Sequence, residues 1–203
     1  MNGGTGMPKI FILNGQGGSG KDTAVNIIKE YDKYLSTKNR IKHISMVDKA
    51  KAVAKVAGWS GGKELKDRKF LHDLKILLDE YNDSSFSYID YCIKSCTYYE
   101  DGRATTTPFI FIDAREPDDI DRLKQTYDCT TILIKRGQAT NFGNSADDNV
   151  FNYQYDYVLE NNGTLEDFKE TILTFWTEIV GIELKQDMTS WENFLLEGEV
   201  NVL

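Results

Sequence analysis

The chain has 203 residues, 40% of them apolar, and a formal net charge of -8. That is the size of one α/β domain with a substantial core, too short for two full domains. An acidic balance without a basic block excludes a stable nucleic-acid footprint and suits a local basic pocket for small anions; no apolar run reaches membrane-spanning length and no charged leader precedes a signal-like segment, so a cytoplasmic location is expected.

The opening Met1-Asn2-Gly3-Gly4-Thr5-Gly6 carries no fold argument, and Met7 is a plausible alternative start. Lys9 to Asn14, with Ile10-Phe11-Ile12-Leu13 inside it, predicts a buried first strand. It runs into Gly15-Gln16-Gly17-Gly18-Ser19-Gly20-Lys21-Asp22-Thr23, which opens a helical pattern reaching about Lys33. The Gly-x4-Gly-Lys spacing between strand and helix is that of a phosphate-binding loop and points to an enzyme handling a nucleoside triphosphate; an ordinary Gly-rich turn is the bland alternative. Glycines let several backbone N–H groups turn inward, where they and the helix N-terminus hold phosphate oxygens. Lys21 brings a mobile positive charge to those oxygens. Asp22 stands where most such loops carry the Ser or Thr whose hydroxyl touches magnesium. Thr23 offers that hydroxyl one residue late, or Asp22 itself holds the ion's water shell while positioning an acceptor.

Ile41 to Met46 predicts a second strand, and Asp48 begins a short helical pattern that Gly58 ends. After the turn at Trp59-Ser60-Gly61-Gly62, a helix over about Lys63 to Tyr81 has Leu65, Phe70, Leu71, Leu74, Leu77 and Leu78 as its apolar stripe. A further helix is expected from about Ser85 to Tyr99, burying Phe86, Ile89, Cys92, Ile93 and Cys96. Phe109-Ile110-Phe111-Ile112 is the next strand, with Asp113-Ala114-Arg115 at its exit and Pro117 in the first turn of a helix. Thr130 to Lys135 makes another strand, which Arg136 leaves. The polar stretch Gly137 to Asn149 suits a cover or irregular connection. Tyr157 to Leu159 is a last short strand, Asn161-Asn162-Gly163 a turn, and Thr164 the N-cap of a helix from Leu165 to about Val180.

Apolar strands alternating with amphipathic helices predict an α/β fold: a mainly parallel central sheet flanked by helices, a three-layer sandwich. Ligands of such sheets sit at the carboxyl ends of strands. Lys21, Asp48, Asp113, Arg115 and Arg136 all follow predicted strands, which makes one shared cleft the expectation. Cys92, Cys96 and Cys129 are read as reduced thiols, and His43 and His72 lie far apart in sequence without metal spacing.

Three segments together, Gly20-Lys21-Asp22-Thr23, Asp113-Ala114-Arg115-Glu116-Pro117 and the run from Tyr157 to Leu165, closely resemble the deoxynucleoside monophosphate kinase-like family of phage and bacterial P-loop kinases. The resemblance reaches from about Lys9 to Val180. It implies a kinase domain over about residues 7–180, with a helical acceptor module at about 48–101 and a cover at about 136–149, leaving 181–203 as a C-terminal extension. It also implies ATP and Mg2+ as cofactors. By it, Gly15, Gly17, Gly18, Ser19, Gly20, Lys21, Asp22 and Thr23 hold the donor, with Asn161 and Gly163 near its base. Asp48, Arg68 and Arg115 meet the acceptor, while Asp22, Thr23 and Asp113 are the metal candidates. Lys21, Asp22, Asp113, Arg115 and Arg136 are the residues expected at the reaction. Asp147 lies at an acidic position of the same family, without a settled role. An N-cap role for Asp48, a solvated Arg68 or Arg136 and a structural Asp113–Arg115 pair are the competing readings.

The leading expectation is phosphoryl transfer from ATP to a deoxynucleoside monophosphate. Dephospho-coenzyme A or another small molecule as acceptor, and a noncatalytic nucleotide-binding regulator, are the alternatives. A partner-binding role would instead expose Trp176, Trp191, Phe194 and Leu195; these residues equally suit a docked tail, and a homodimer is among the arrangements left open.

Overall fold

A computed structural model describes residues 8–34, 41–100, 103–106, 109–137 and 149–180. The central sheet has five strands: β1 (Lys9–Asn14), β2 (Ile41–Ser45), β5 (Phe109–Asp113), β6 (Cys129–Lys135) and β7 (Tyr157–Glu160). Their order is β2-β5-β1-β6-β7, and every neighbouring pair is parallel. Parallel strands need covering on both faces, and the sequence provides for it. In β1, Phe11 and Leu13 point to one face while Ile10 and Ile12 point to the other, and all four are buried.

On the first face lie α1 (Lys21–Tyr34) and the last helix, α6 (Leu165–Val180). Val25 and Ile28 of α1 and Phe168, Leu173 and Trp176 of α6 close over Phe11, Phe109 and Phe111. Trp176 is 1% exposed, its ring meeting that of Phe109 edge-on at 4.7 Å. It is a core residue, so the exposed partner-binding surface imagined through it is not present; Trp191, Phe194 and Leu195 lie outside the described residues. The second face is covered by α4 (Ser84–Lys94) and α5 (Pro117–Thr126), whose Ile89, Ile93, Ile120 and Leu123 pack on Ile10, Ile12, Ile110 and Ile112. The three-layer α/β sandwich expected from the alternation of elements is thus the fold observed.

Between β2 and β5 the chain leaves this body as α2 (Asp48–Val56), α3 (Leu65–Asn82), α4 and an antiparallel hairpin of β3 (Thr97–Glu100) and β4 (Arg103–Thr106). Two expectations fail here. The helix predicted to run to Tyr99 stops at Lys94, and Thr97–Glu100 turns back as a strand. Nor is the leucine stripe of α3 a core face: none of its residues is buried, and Leu65 and Leu77 are 66% and 62% exposed. The helix rests on α2 and α4 while standing away from the sheet.

Ionic contacts hold α3 to α5. Lys75 Nζ lies 3.0 Å from Asp79 Oδ2 and 3.1 Å from Asp119 Oδ2, and burial pushes the Asp119 carboxyl up although Lys75 opposes it. Arg122 donates from both terminal nitrogens to Asp83, the αL residue (φ 54°) joining α3 to α4. Cys92, Cys96 and Cys129 are free thiols, the last pushed up to about 12, chiefly by burial. Among the described residues no helix is long and apolar enough to cross a membrane.

Candidate active site

The glycine-rich loop leaves β1 at Asn14, which is fully buried and ties three segments together. Its Oδ1 accepts the Gly15 N–H (2.7 Å), while its Nδ2 donates to Arg115 O (3.1 Å) and to Tyr155 Oη (2.8 Å). Tyr155 in turn donates to Val150 O at 2.8 Å. The exits of β1 and β5 and the segment after the predicted cover thereby share one polar knot.

Two glycines of the loop are required by their surroundings. A Cβ on Gly15 (φ +148°) would stand 2.5 Å from both Ile134 O and Ser19 Oγ; one on Gly20 (φ +107°) would stand 2.6 Å from Asn161 Nδ2. Asn161 explains the second approach, because its Nδ2 donates to Ser19 O (2.8 Å) while its own N–H donates to Lys135 O (2.8 Å). Its side chain therefore serves as a brace under the loop, a role the reading of it as a turn residue near the donor base had missed. Gly163 lies beside it, at the cap of α6, where Thr164 and Asp167 exchange hydrogen bonds as the predicted N-cap requires.

From Gly20 the chain enters α1, starting with the bond from Ala24 N–H to Gly20 O at 2.8 Å. The N–H groups that open a helix and the helix dipole favour an anion at the loop. Lys21 Nζ donates to Gly15 O (2.5 Å) and Gln16 O (3.2 Å), so it lies across the loop's mouth.

Around this loop opens a cleft of about 1160 Å³. Single-ligand pockets run about 300–1,000 Å³, so there is room for more than one small molecule. Gly17, Gly18, Ser19, Gly20, Lys21, Asp22 and Thr23 form one wall. Asp113 and Arg115 come from the exit of β5, Arg136 from that of β6, and Asn161 and Gly163 from that of β7. From α3 come Leu65, Arg68, Lys69, Leu71 and His72. Leu65 and Leu71 of the apolar stripe thus border this cleft, while Leu77 stands exposed outside it.

Of the residues singled out in the sequence, Gly15 and Asp48 do not reach the cleft wall. Gly15 is buried behind the loop, and the Asp48 carboxylate faces its own turn, accepting the Ser45 N–H (2.8 Å) and the Lys51 ammonium (3.1 Å). Arg68 is half-buried along α3, its Nε donating to Lys63 O at 3.0 Å. Arg115 is half-buried and Arg136 exposed, both open to the cleft. Asp147 lies outside the described residues, as does the predicted cover over 138–148.

One neighbour of Asp113 escaped the sequence reading. His43, in β2, brings Nε2 to 3.2 Å from Asp113 Oδ1. The two atoms are not aligned as a hydrogen bond, and each is shielded from solvent without a hydrogen-bonding partner. Asp22 completes the group: donor atoms of Asp22, His43 and Asp113 all lie within 4.8 Å of one another. Strand alternation places His43 and Ser45 on one face of β2, in register with Phe111 and Asp113 of β5. That is the signal by which the pair is found, given the strand order.

No family model matches the chain, and no curated protein matches it. Among solved structures it is similar to a Thermus thermophilus protein, at 15% identity over 85% of this chain and 98% of that one, with a TM-score of 0.47. It is also similar to the thymidylate kinase of Ehrlichia chaffeensis, at 12% identity over 83% and 98% of the two chains with a TM-score of 0.42. The dephospho-CoA kinase of Campylobacter jejuni is 15% identical over 86% and 98%, with a TM-score of 0.45. Likenesses this distant carry no statement about reaction or substrate.

Proposed function

We propose that the protein is an ATP-dependent phosphotransferase acting on a nucleoside monophosphate, with deoxynucleotides as the favoured class. The observation that supports this most directly is the meeting of Lys21, Arg68, Asp113, Arg115 and Arg136 around one cleft large enough for two phosphate-bearing molecules. A net charge of -8 makes that local gathering of cations a selective feature.

In this reading the loop N–H groups and Lys21 hold the β- and γ-phosphates of the donor. Arg68 and Arg115 grip the phosphate of the acceptor, with α3 and the rest of residues 48–101 as its binding module. An acceptor phosphate oxygen forms a bond to the γ-phosphorus as the bond to the β–γ bridging oxygen breaks, and ADP departs with that electron pair. The acceptor phosphate is ionised at neutral pH, so the protein needs no nucleophile of its own; its task is alignment, neutralisation of charge and exclusion of water. Arg136, at the root of the cover over 136–149, serves the last two. The donor set at Asp22 and Asp113, with a shielded carboxylate oxygen lacking a hydrogen bond, fits a divalent cation such as Mg2+. When bound, such an ion neutralises phosphate charge.

The test is coupled ADP production with MgATP against a panel of ribo- and deoxyribonucleoside monophosphates and dephospho-coenzyme A. We expect transfer to at least one monophosphate, lost in Lys21→Ala and reduced in Asp113→Ala, with acceptor KM raised in Arg68→Ala. Transfer confined to dephospho-coenzyme A would reassign the acceptor. ATP binding with no transfer to any acceptor would replace the enzyme by a nucleotide-binding regulator.

A further inference from the structure

We propose that His43 Nε2 joins the carboxylates of Asp22 and Asp113 as a ligand to one divalent cation, forming a mixed nitrogen–oxygen site that prefers first-row transition ions such as Mn2+ over Mg2+. What the ion does there rests on the phosphotransfer reading above. That it binds rests on the side chains alone.

The three donors come from three elements, the first turn of α1, β2 and the end of β5. Nothing in the local chain would gather them; the sheet order does, by setting β2 beside β5 with α1 above their ends. Two donors at ~2.1 Å from one ion and at right angles to each other lie ~3.0 Å apart. His43 Nε2 and Asp113 Oδ1 are 3.2 Å apart, and Asp22 lies within the 4.8 Å that embraces all three. A plain histidine–aspartate hydrogen bond would account for the approach, yet the two atoms are misaligned for one, and both are shielded and unsatisfied. Buried polar groups left this way call for a water or an ion. An ion between them satisfies both at once, and Asp22, being exposed, gives it a route from the cleft.

An all-oxygen set suits Mg2+, which keeps most of its waters and tolerates few protein ligands. An imidazole nitrogen shifts the balance toward later divalent ions. The donor chemistry thus distinguishes this site from a purely carboxylate one.

The experiment is Mn2+ binding to the tag-free full chain without nucleotide, followed by pulsed electron paramagnetic resonance for coupling to nitrogen. We expect one bound Mn2+ showing imidazole nitrogen coupling, displaced by Mg2+ only at higher concentration. His43→Ala should remove the coupling and weaken Mn2+ by about tenfold or more. His43→Gln keeps an oxygen donor and much of the volume; it should bind Mn2+ more weakly without imidazole coupling and lose most of the preference over Mg2+. Absence of Mn2+ binding, bound Mn2+ without nitrogen coupling, or coupling that survives both variants and so belongs to His72, would overturn the proposal. The wild-type spectrum alone decides against it if either variant fails to fold. Nitrogen coupling in a protein that transfers no phosphate would sink the function and keep the site; transfer without coupling would do the reverse.

Discussion

Asn161→Ala separates a brace under the loop from a contact to a base. The residue is 9% exposed, and its Nδ2 makes a 2.8 Å bond to Ser19 O. Truncation removes that bond and leaves the carbonyl of a residue that is itself 1% exposed without this donor. Such a loss costs about 1–3 kcal/mol. In a chain of this size that lowers Tm by about 2–4 °C for each kcal/mol. If the unbraced loop must be reordered when phosphate binds, the same cost weakens binding by about 5- to 150-fold. The brace acts on the loop backbone, so the loss should be shared by MgATP, MgGTP and magnesium tripolyphosphate in calorimetric titrations. Weakened nucleotide binding with undiminished tripolyphosphate binding would refute this reasoning and return Asn161 to the donor base. So would an unchanged Tm together with unchanged affinities.

Trp176→Ala empties a position at the centre of the first core face, and should cost about 3–5 kcal/mol in a denaturant melt; a cost below about 1 kcal/mol would contradict the packing against Phe11, Phe109 and Phe111. The Thr164 N–H and hydroxyl hold the Asp167 carboxyl below its ordinary value of 3.8. Below about pH 4 the unfolded chain therefore takes up this proton before the folded one, so the stabilisation is present above that pH and fades on acidification through the lower folded value. Asp167→Asn should flatten the fall of Tm on acidification below about pH 4; slopes identical to wild type would exclude the cap as its source.

What could be read from the chain was what depends on neighbours in sequence. The loop glycines, the strand before them and the helix after them fall within Lys9–Tyr34, and the residues at strand exits announce themselves by following apolar runs. Periodicity misled in α3 because an apolar stripe has the same spacing whether or not a core covers it; here Leu65 and Leu71 line the cleft and Leu77 stands exposed. Around Cys96 the apolar spacing of α4 continued on paper beyond Lys94, and masked the strand-forming run Thr97-Tyr98-Tyr99-Glu100; Asp101-Gly102, a favoured hairpin dipeptide, was the overlooked mark. His43 needed more than any local pattern. Its approach to Asp113 exists because β2 crosses over to lie against β5, a pairing between positions 70 residues apart in the chain, set by packing and not by adjacent sequence.

The placement of β1 at the middle of the sheet also governs how the protein can be made. Its strand partners are β5, ending at Asp113, and β6, beginning at Cys129, so the first apolar strand has no native strand to pair with until the ribosome has added roughly a hundred more residues. At about 5–20 residues per second, that is an interval of ~5–20 s during which both edges of the strand, and its Ile10 and Ile12 face, lack their native cover. A circular permutant that places β5 or β6 ahead of β1 in synthesis should shorten that interval.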